Sequence, residues 1–207
     1  MRRLWGRANS SNVMKVIWLL EELSLPYERI DAGGAFGKTD SADYRAMNPT
    51  GLVPTLQEGD FVLWESNAIV RYLASAQAGD SPLWPHDVRA RASIDRWMDC
   101  QHTQLNRPHS VLFWELVRTA PEKRDHAVIH QAIADARRAY SLLEASLTRF
   151  PFIAGEAFTL ADIVWGVHVH RWFSMDFERP ELPWLRAWYD RLLLRPAYQT
   201  HCAGPMS

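Results

Sequence analysis

The chain has only two cysteines in 207 residues, Cys100 and Cys202. Thiols about a hundred residues apart build neither a disulfide framework nor a zinc site, whose ligands come in close pairs. A reducing compartment, the cytoplasm, is the expected setting. An excess of either charge is also missing: 23 Lys and Arg stand against 24 Asp and Glu, leaving a net charge of −1. Such a balance makes no long-range field to gather nucleic acid or an anionic membrane. Nor is there a long apolar run. The opening MRRLWGRANSS carries two arginines but no signal-peptide core, and no later stretch reaches the roughly 18 uncharged residues of a membrane span. The expected partners are small molecules or proteins, not nucleic acid or membrane. What is present suits a folded core: 47% of residues are hydrophobic and 23% charged, enough for one or two compact domains.

The chain changes character near residue 80. Residues 2–7 read as a short strand, and Val13, Val16, Ile17, Leu20 and Leu23 recur at helical spacing. YERIDA, 27–32, returns to a strand pattern, while GGAFGKTDSAD has no apolar period and reads as a mobile loop or short helical turn. VPTL and FVLWE flank QEGD, whose Gly59 and Asp60 are hairpin residues. ESNAIVRYLASA restores helical spacing. The α/β unit so formed spans 1–76, and QAGDSPLWPHD, 77–87, reads as a linker. Residues 88–207 hold only helical patterns, with Pro108 and Pro121 expected to bend or end helices and Pro196 to close the last one. Within this all-helical unit, Thr159 and Asp162 have capping-box spacing, with Phe158 placed as a staple.

Asn9, Ser10, Ser11 and Asn12 stand directly before the first helix. Ser11 or Asn12 would serve simply as a cap. Four stretches in order, RANSSNVMKVIWLLEEL, NPTGLVPTL at 48–56, ESNAIVRYL at 65–73 and FTLADI at 158–163, point further. Together they resemble the cytosolic glutathione transferases over nearly the whole chain, to about residue 196. The polar turn is that of the serine-type classes and many bacterial members. Tyrosine-type classes place their tyrosine on the first strand, where this chain has Leu4 and Trp5.

The resemblance implies a thioredoxin-like domain followed by a helical bundle, a symmetric homodimer, and glutathione as co-substrate without a metal. A free thiol titrates near about 8.5, so the site must stabilise the thiolate. Ser10 falls where serine-type members keep their catalytic hydroxyl, Asn12 matches members that use an amide, and Ser11 lies between them. The family pattern further implies a cis Val53–Pro54 bond that exposes the Val53 main chain to glutathione, with Glu65 and Ser66 holding its γ-glutamyl end. Leu52 departs from the pattern, since several relatives carry a polar or basic residue there. Lys38 is the substitute candidate for the glycyl carboxylate. The small hydrophobic electrophile is expected along the first long helix, at Trp97, Gln101, His102, Gln104 and Phe113, with Asp99 reaching the partner subunit's glutathione.

Other features carry less. His126 and His130 are four residues apart on a helix, but HAVIH lacks the Glu of the zinc-protease motif, so both read as surface residues. His168 and His170 read as packing or helix-rim residues, and Cys100 as a helix residue rather than a nucleophile. No cysteine lies at positions 8–14, which weighs against a glutaredoxin-like disulfide mechanism. Two functions stay open: conjugation or peroxidase-type reduction of an electrophile through bound glutathione, and a binding protein of the same fold without turnover.

Overall fold

A computed structural model of the chain describes residues 1–77 and 81–206. Four strands, β1 (Arg2–Trp5), β2 (Tyr27–Ile30), β3 (Thr55–Glu58) and β4 (Phe61–Trp64), form one sheet in the order β2-β1-β3-β4. β1 runs parallel to β2 and antiparallel to β3. A parallel neighbour needs a crossover, and α1 (Ser11–Glu22) supplies it. Leu4, Leu56 and Leu63 align across the sheet, and Leu4 and Leu56 are fully buried. Gly59 and Asp60 make the predicted hairpin turn, Gly59 at φ 59°. The segment after β2 is more ordered than its composition suggests: a 3-10 turn at Gly34–Phe36 precedes α2 (Ala42–Met47), which Ser41 caps by accepting from the Tyr44 amide. α3 (Ser66–Gln77) completes the first unit. Of the linker predicted over 77–87, residues 78–80 lie outside the described residues, and Asp87 caps the next helix.

The second unit holds α4 (Val88–Cys100), α5 (Asn106–Phe113), α6 (His126–Leu147), α7 (Leu160–Ser174), α8 (Pro183–Leu192) and α9 (Pro196–His201). Pro108 does not break the first of these. A π turn at Gln101–Leu105 widens the helix just before it, a second follows at Trp114–Arg118, and the path stays helical from Val88 to Arg118. The wider turn leaves room for a residue with no amide to donate. Pro196 opens a further short helix instead of closing the last one, because proline is pre-shaped for a first helical position.

One hydrophobic core runs through both units. Its axis is α1, in which Val13, Val16, Ile17, Trp18, Leu19 and Leu20 are all buried, so the helix is covered on every side. Close approach is built in at glycine. A Cβ at Gly6 would lie 2.5 Å from Val13, and one at Gly166 of α7 would lie 2.7 Å from the Trp18 ring. Arg195 clamps the far end of α1 through two bonds to Glu22, at 2.8 and 2.5 Å. Phe158 packs its ring on Trp18 at 5.5 Å between centroids.

The capping box of α7 forms and does more than cap. Asp162 is fully buried and accepts from the Thr159 amide (2.8 Å) and hydroxyl (3.1 Å), the Ile153 amide (3.0 Å) and Trp188 Nε1 (2.9 Å). Burial raises its pKa while these bonds oppose the rise. Asp162→Ala would strand those donors, and leaving such groups buried and unpaired costs about 3 to 5 kcal/mol in sum. Urea unfolding is expected to show that loss, with a smaller one for Asp162→Asn, which keeps one acceptor oxygen.

Candidate active site

Ser10 occupies the N-cap of α1 with extended backbone (φ −82°, ψ 124°), yet its side chain makes no capping bond. Its hydroxyl has no partner among the described residues and lines a cleft. Ser11 and Asn12 lie inside the helix, so neither is the cap. Among the described residues the amides of Ser11, Asn12 and Val13 find no acceptor. The helix therefore presents unpaired N–H groups and the positive end of its dipole beside a free hydroxyl, an arrangement that stabilises an anion.

The cleft, about 450 Å³, opens between the two units. On one side lie Arg7, the polar turn 9–12 and Phe36; on the other, Phe113, Trp114, Arg118 and Arg171. Phe36 and Trp114 are 52% and 61% exposed and stand in the same cleft with Phe113, an apolar lining open to solvent. Arg171 comes from the buried helix α7, donates to the Asn9 carbonyl at 2.7 Å, and lies 4.2 Å from the centre of the Phe113 ring. Burial, then Arg7 and Arg118, lower its pKa to about 10.

A second group of residues meets the turn from the other side. Ser66, at the start of α3, is buried and donates to Asn12 Oδ1 at 3.3 Å. Glu65 before it is exposed and holds φ at 70°, a conformation that costs a non-glycine residue about 1 kcal/mol or more. Val53–Pro54 is cis, and no hydrogen bond of the Val53 amide or carbonyl is found among the described residues. Asn48 shapes this loop from within. It donates to the Leu52 carbonyl (2.9 Å) and Thr55 Oγ1 (3.0 Å) and accepts from the Thr50 amide (3.1 Å) and hydroxyl (2.7 Å). Lys38 is exposed, at φ 70°, and does not line the cleft.

Residues 2–75 match the family model for the glutathione S-transferase N-terminal domain, and residues 126–191 match that for the C-terminal domain. The chain belongs to the glutathione S-transferase family. It is 43% identical to glutathione S-transferase GstB of Escherichia coli K12 over the full length of both, and 32% identical to glutathione S-transferase 3 of Zea mays, covering 98% of this chain and 93% of that one. The theta-class glutathione S-transferase of Xanthomonas axonopodis pv. citri, solved with glutathione bound, superposes with a TM-score of 0.95 at 46% identity, covering 100% and 99% of the chains.

Within this transferase, the predicted electrophile residues part company. Phe113 lines the cleft, but Trp97, Gln101, His102 and Gln104 do not. Gln101 is fully buried, Trp97 packs edge-on against Trp165, and His102 and Gln104 are exposed elsewhere. The segment after Pro108, through Ser110, Phe113, Trp114 and Arg118, lines the cleft with the polar turn, and the one before it does not. Asp99 pairs with Arg71 of its own chain at 2.7 Å, beside Asp95. Sequence reading missed Arg7, Trp114, Arg118 and Arg171. Arg7 adjoins the polar turn, and Arg171 is the one guanidinium in the apolar stretch LADIVWGVHVHRWF; those were the available signals. No group of three His, Cys, Asp or Glu able to hold a metal exists among the described residues, and His126 and His130 are exposed. Cys100 is half-buried, and burial raises its thiol pKa. His170 is held at the helix rim by Tyr189 and the Gly204 carbonyl.

Gln101 belongs instead to a buried chain behind the site. His109 Nε2 lies 3.0 Å from the His168 carbonyl, so it must donate. His109 Nδ1 then accepts from His168 Nδ1 (3.2 Å), His168 Nε2 accepts from Gln101 Nε2 (3.0 Å), and Gln101 Oε1 accepts from Lys15 Nζ (3.0 Å). Each tautomer is thereby fixed, and both imidazoles are neutral: burial lowers His109 to about 3 and His168 well below its usual value. Burial likewise lowers Lys15 from 10.5 to about 7, against the pull of Glu65. A lysine whose folded pKa lies below its unfolded one destabilises the fold fully below the lower value, and the penalty fades as pH rises toward the upper. The unfolding free energy of wild type relative to Lys15→Met should therefore climb by up to about 1.4 kcal/mol per pH unit between the two values. Urea titrations across that window would show a flat difference if Lys15 kept its ordinary pKa.

Proposed function

We propose that the chain binds glutathione with its cysteinyl backbone on Val53 and its γ-glutamyl end on Glu65 and Ser66, and that the Ser10 hydroxyl holds the thiolate for attack on a small electrophile. The observation that carries this reading is the N-cap serine of α1 that does not cap. Asn12 Oδ1 accepts from Ser66, which makes Asn12 a link between the two halves of the site; its amide N–H2 is a second candidate donor, beside the hydroxyls of Ser10 and Ser11. A binding protein without turnover would gain nothing from an uncommitted hydroxyl among unpaired helix amides.

Lowering the thiol pKa by about 2 units requires about 2.7 kcal/mol, within reach of one charge-assisted hydrogen bond added to the helix end. Ser10→Ala is expected to raise the pKa of bound glutathione by about 1 to 2 units and to cut turnover near neutral pH by about 10- to 100-fold, with glutathione affinity within about twofold. Thiolate absorbance and rate against pH measure both. An unchanged profile in Ser10→Ala would move the role to Ser11 or Asn12, which the same measurement on Asn12→Ala separates.

Glu65 has a different task. Glu65→Gln keeps the backbone and size but removes the charge facing the ligand's ammonium group. Calorimetry should find glutathione bound about 10-fold more weakly, as expected for a charge-assisted bond, at every pH and with the thiolate pKa unmoved. Equal affinity removes Glu65 from the site.

The functional unit is a homodimer of 23.9 kDa subunits working in the reducing cytoplasm, where glutathione is available and both cysteines stay free thiols. Both are unpaired here, and no described helix is long and apolar enough to cross a membrane.

A further inference from the structure

Arg7, Arg118 and Arg171 converge on one cleft without an acid. Several other guanidiniums are paired with a carboxylate, Arg2 with Glu58, Arg71 with Asp95 and Asp99, and Arg195 with Glu22; what sets these three apart is that they share one cleft. Among the described residues no Asp or Glu forms an ion pair with Arg7, Arg118 or Arg171, although together they line the same wall-to-wall space. The chain as a whole is close to neutral, so this concentration of positive charge is local. It is also costly. Arg171 is buried, and each of the other two arginines pushes its pKa down, as Arg118 does for Arg7. Arg171 is buried, Arg7 half-buried and Arg118 exposed, so the cluster runs from the interior to solvent, and like charges held together in this way without an acid persist where a ligand of opposite charge is to be met.

The position of the charges says which ligand. The groups proposed for glutathione, Val53, Glu65 and Ser66, are outside the lining of this cleft, and the polar turn separates them from the arginines. Arg118 and Arg171 come from the helical unit, across from the sulfur. The walls between the charges are the rings of Phe36, Phe113 and Trp114. We infer that the electrophile is anionic: a flat or apolar body that fits between these rings and carries a carboxylate or similar anion that the arginines grip. Guanidinium forks match carboxylate geometry two bonds at a time. The inference rests on the glutathione-transferase reading above and specifies its second substrate.

A matched pair tests it. 4-Chloro-3,5-dinitrobenzoate and its carboxamide share ring and leaving group and differ in charge. In each, the glutathione sulfur forms a bond to the ring carbon bearing chlorine, and the C–Cl bond breaks with its electron pair leaving as chloride. The expected kcat/KM ratio of carboxylate to carboxamide exceeds the ratio of their uncatalysed rates by about 10-fold or more, falls with added salt, and drops about 10-fold in Arg118→Gln and in Arg7→Gln, in line with loss of a charge-assisted bond. A wild-type ratio no greater than the uncatalysed one overturns the inference while leaving the transferase intact. Loss of glutathione affinity in the arginine variants with an unchanged ratio also overturns it, since the arginines would then hold the tripeptide. Calorimetry with the unreactive 3,5-dinitrobenzoate and 3,5-dinitrobenzamide decides the point without turnover: about 10-fold tighter anion binding, weakened in Arg118→Gln, supports the inference, and equal binding rejects it. Failure of glutathione itself to bind would sink the transferase reading and leave this last comparison standing.

Discussion

The burial of α1 on every side is the constraint on which the site depends. A helix that packs against the sheet and α3 on one flank and against α7 and α9 on the other has no freedom to shift along its axis. Gly6 and Gly166 remove the side chains that would hold its neighbours away, and the bidentate Arg195–Glu22 pair fixes its far end. Its N-terminus is thereby held where the two units meet. The unpaired amides and the Ser10 hydroxyl are then pre-set toward the cleft, so an anion arriving there need not pay to organise them.

The same packing explains why so much polar material is buried around α1. Lys15 would cost several kcal/mol as an isolated charge in the interior; its proton is held weakly, and its donors reach Gln101 and Asn67. The chain from Lys15 to the His168 carbonyl uses every donor in one direction, which is possible only with both imidazoles neutral. It ties α1 to α5 and α7 through directional bonds, adding orientation to the non-directional apolar contacts.

Unfavourable features gather around the polar turn. Glu65 sits at positive φ beside the turn, the Ser10 cap goes unused, and three guanidiniums face one another. Each is unfavourable for stability alone. Their gathering on the two sides of the polar turn, against a core in which the buried carboxylate of Asp162 has four donors, separates the part of the molecule built for a ligand from the part built to fold.

Sequence by itself determined the elements whose causes are local. Period-2 and period-3.6 patterns placed the four strands and most helices, Gly59–Asp60 placed the hairpin, Thr159–Asp162 placed the α7 cap, and the polar turn placed the hydroxyls at the start of α1. It misjudged Pro196, and Pro108 does not end its helical path, because whether a proline ends, bends or begins a helix depends on the turn that precedes it, and the π turn at Gln101–Leu105 leaves no mark in apolar spacing. Only the tertiary structure decided which side chains share the cleft. Arg171 and Asn9 are 162 residues apart in the chain and 2.7 Å apart in space; Arg7 and Arg118 belong to different units. Their meeting is set by how two separately patterned units dock across α1, and a docking angle arises from the sum of many contacts that no short stretch of residues contains.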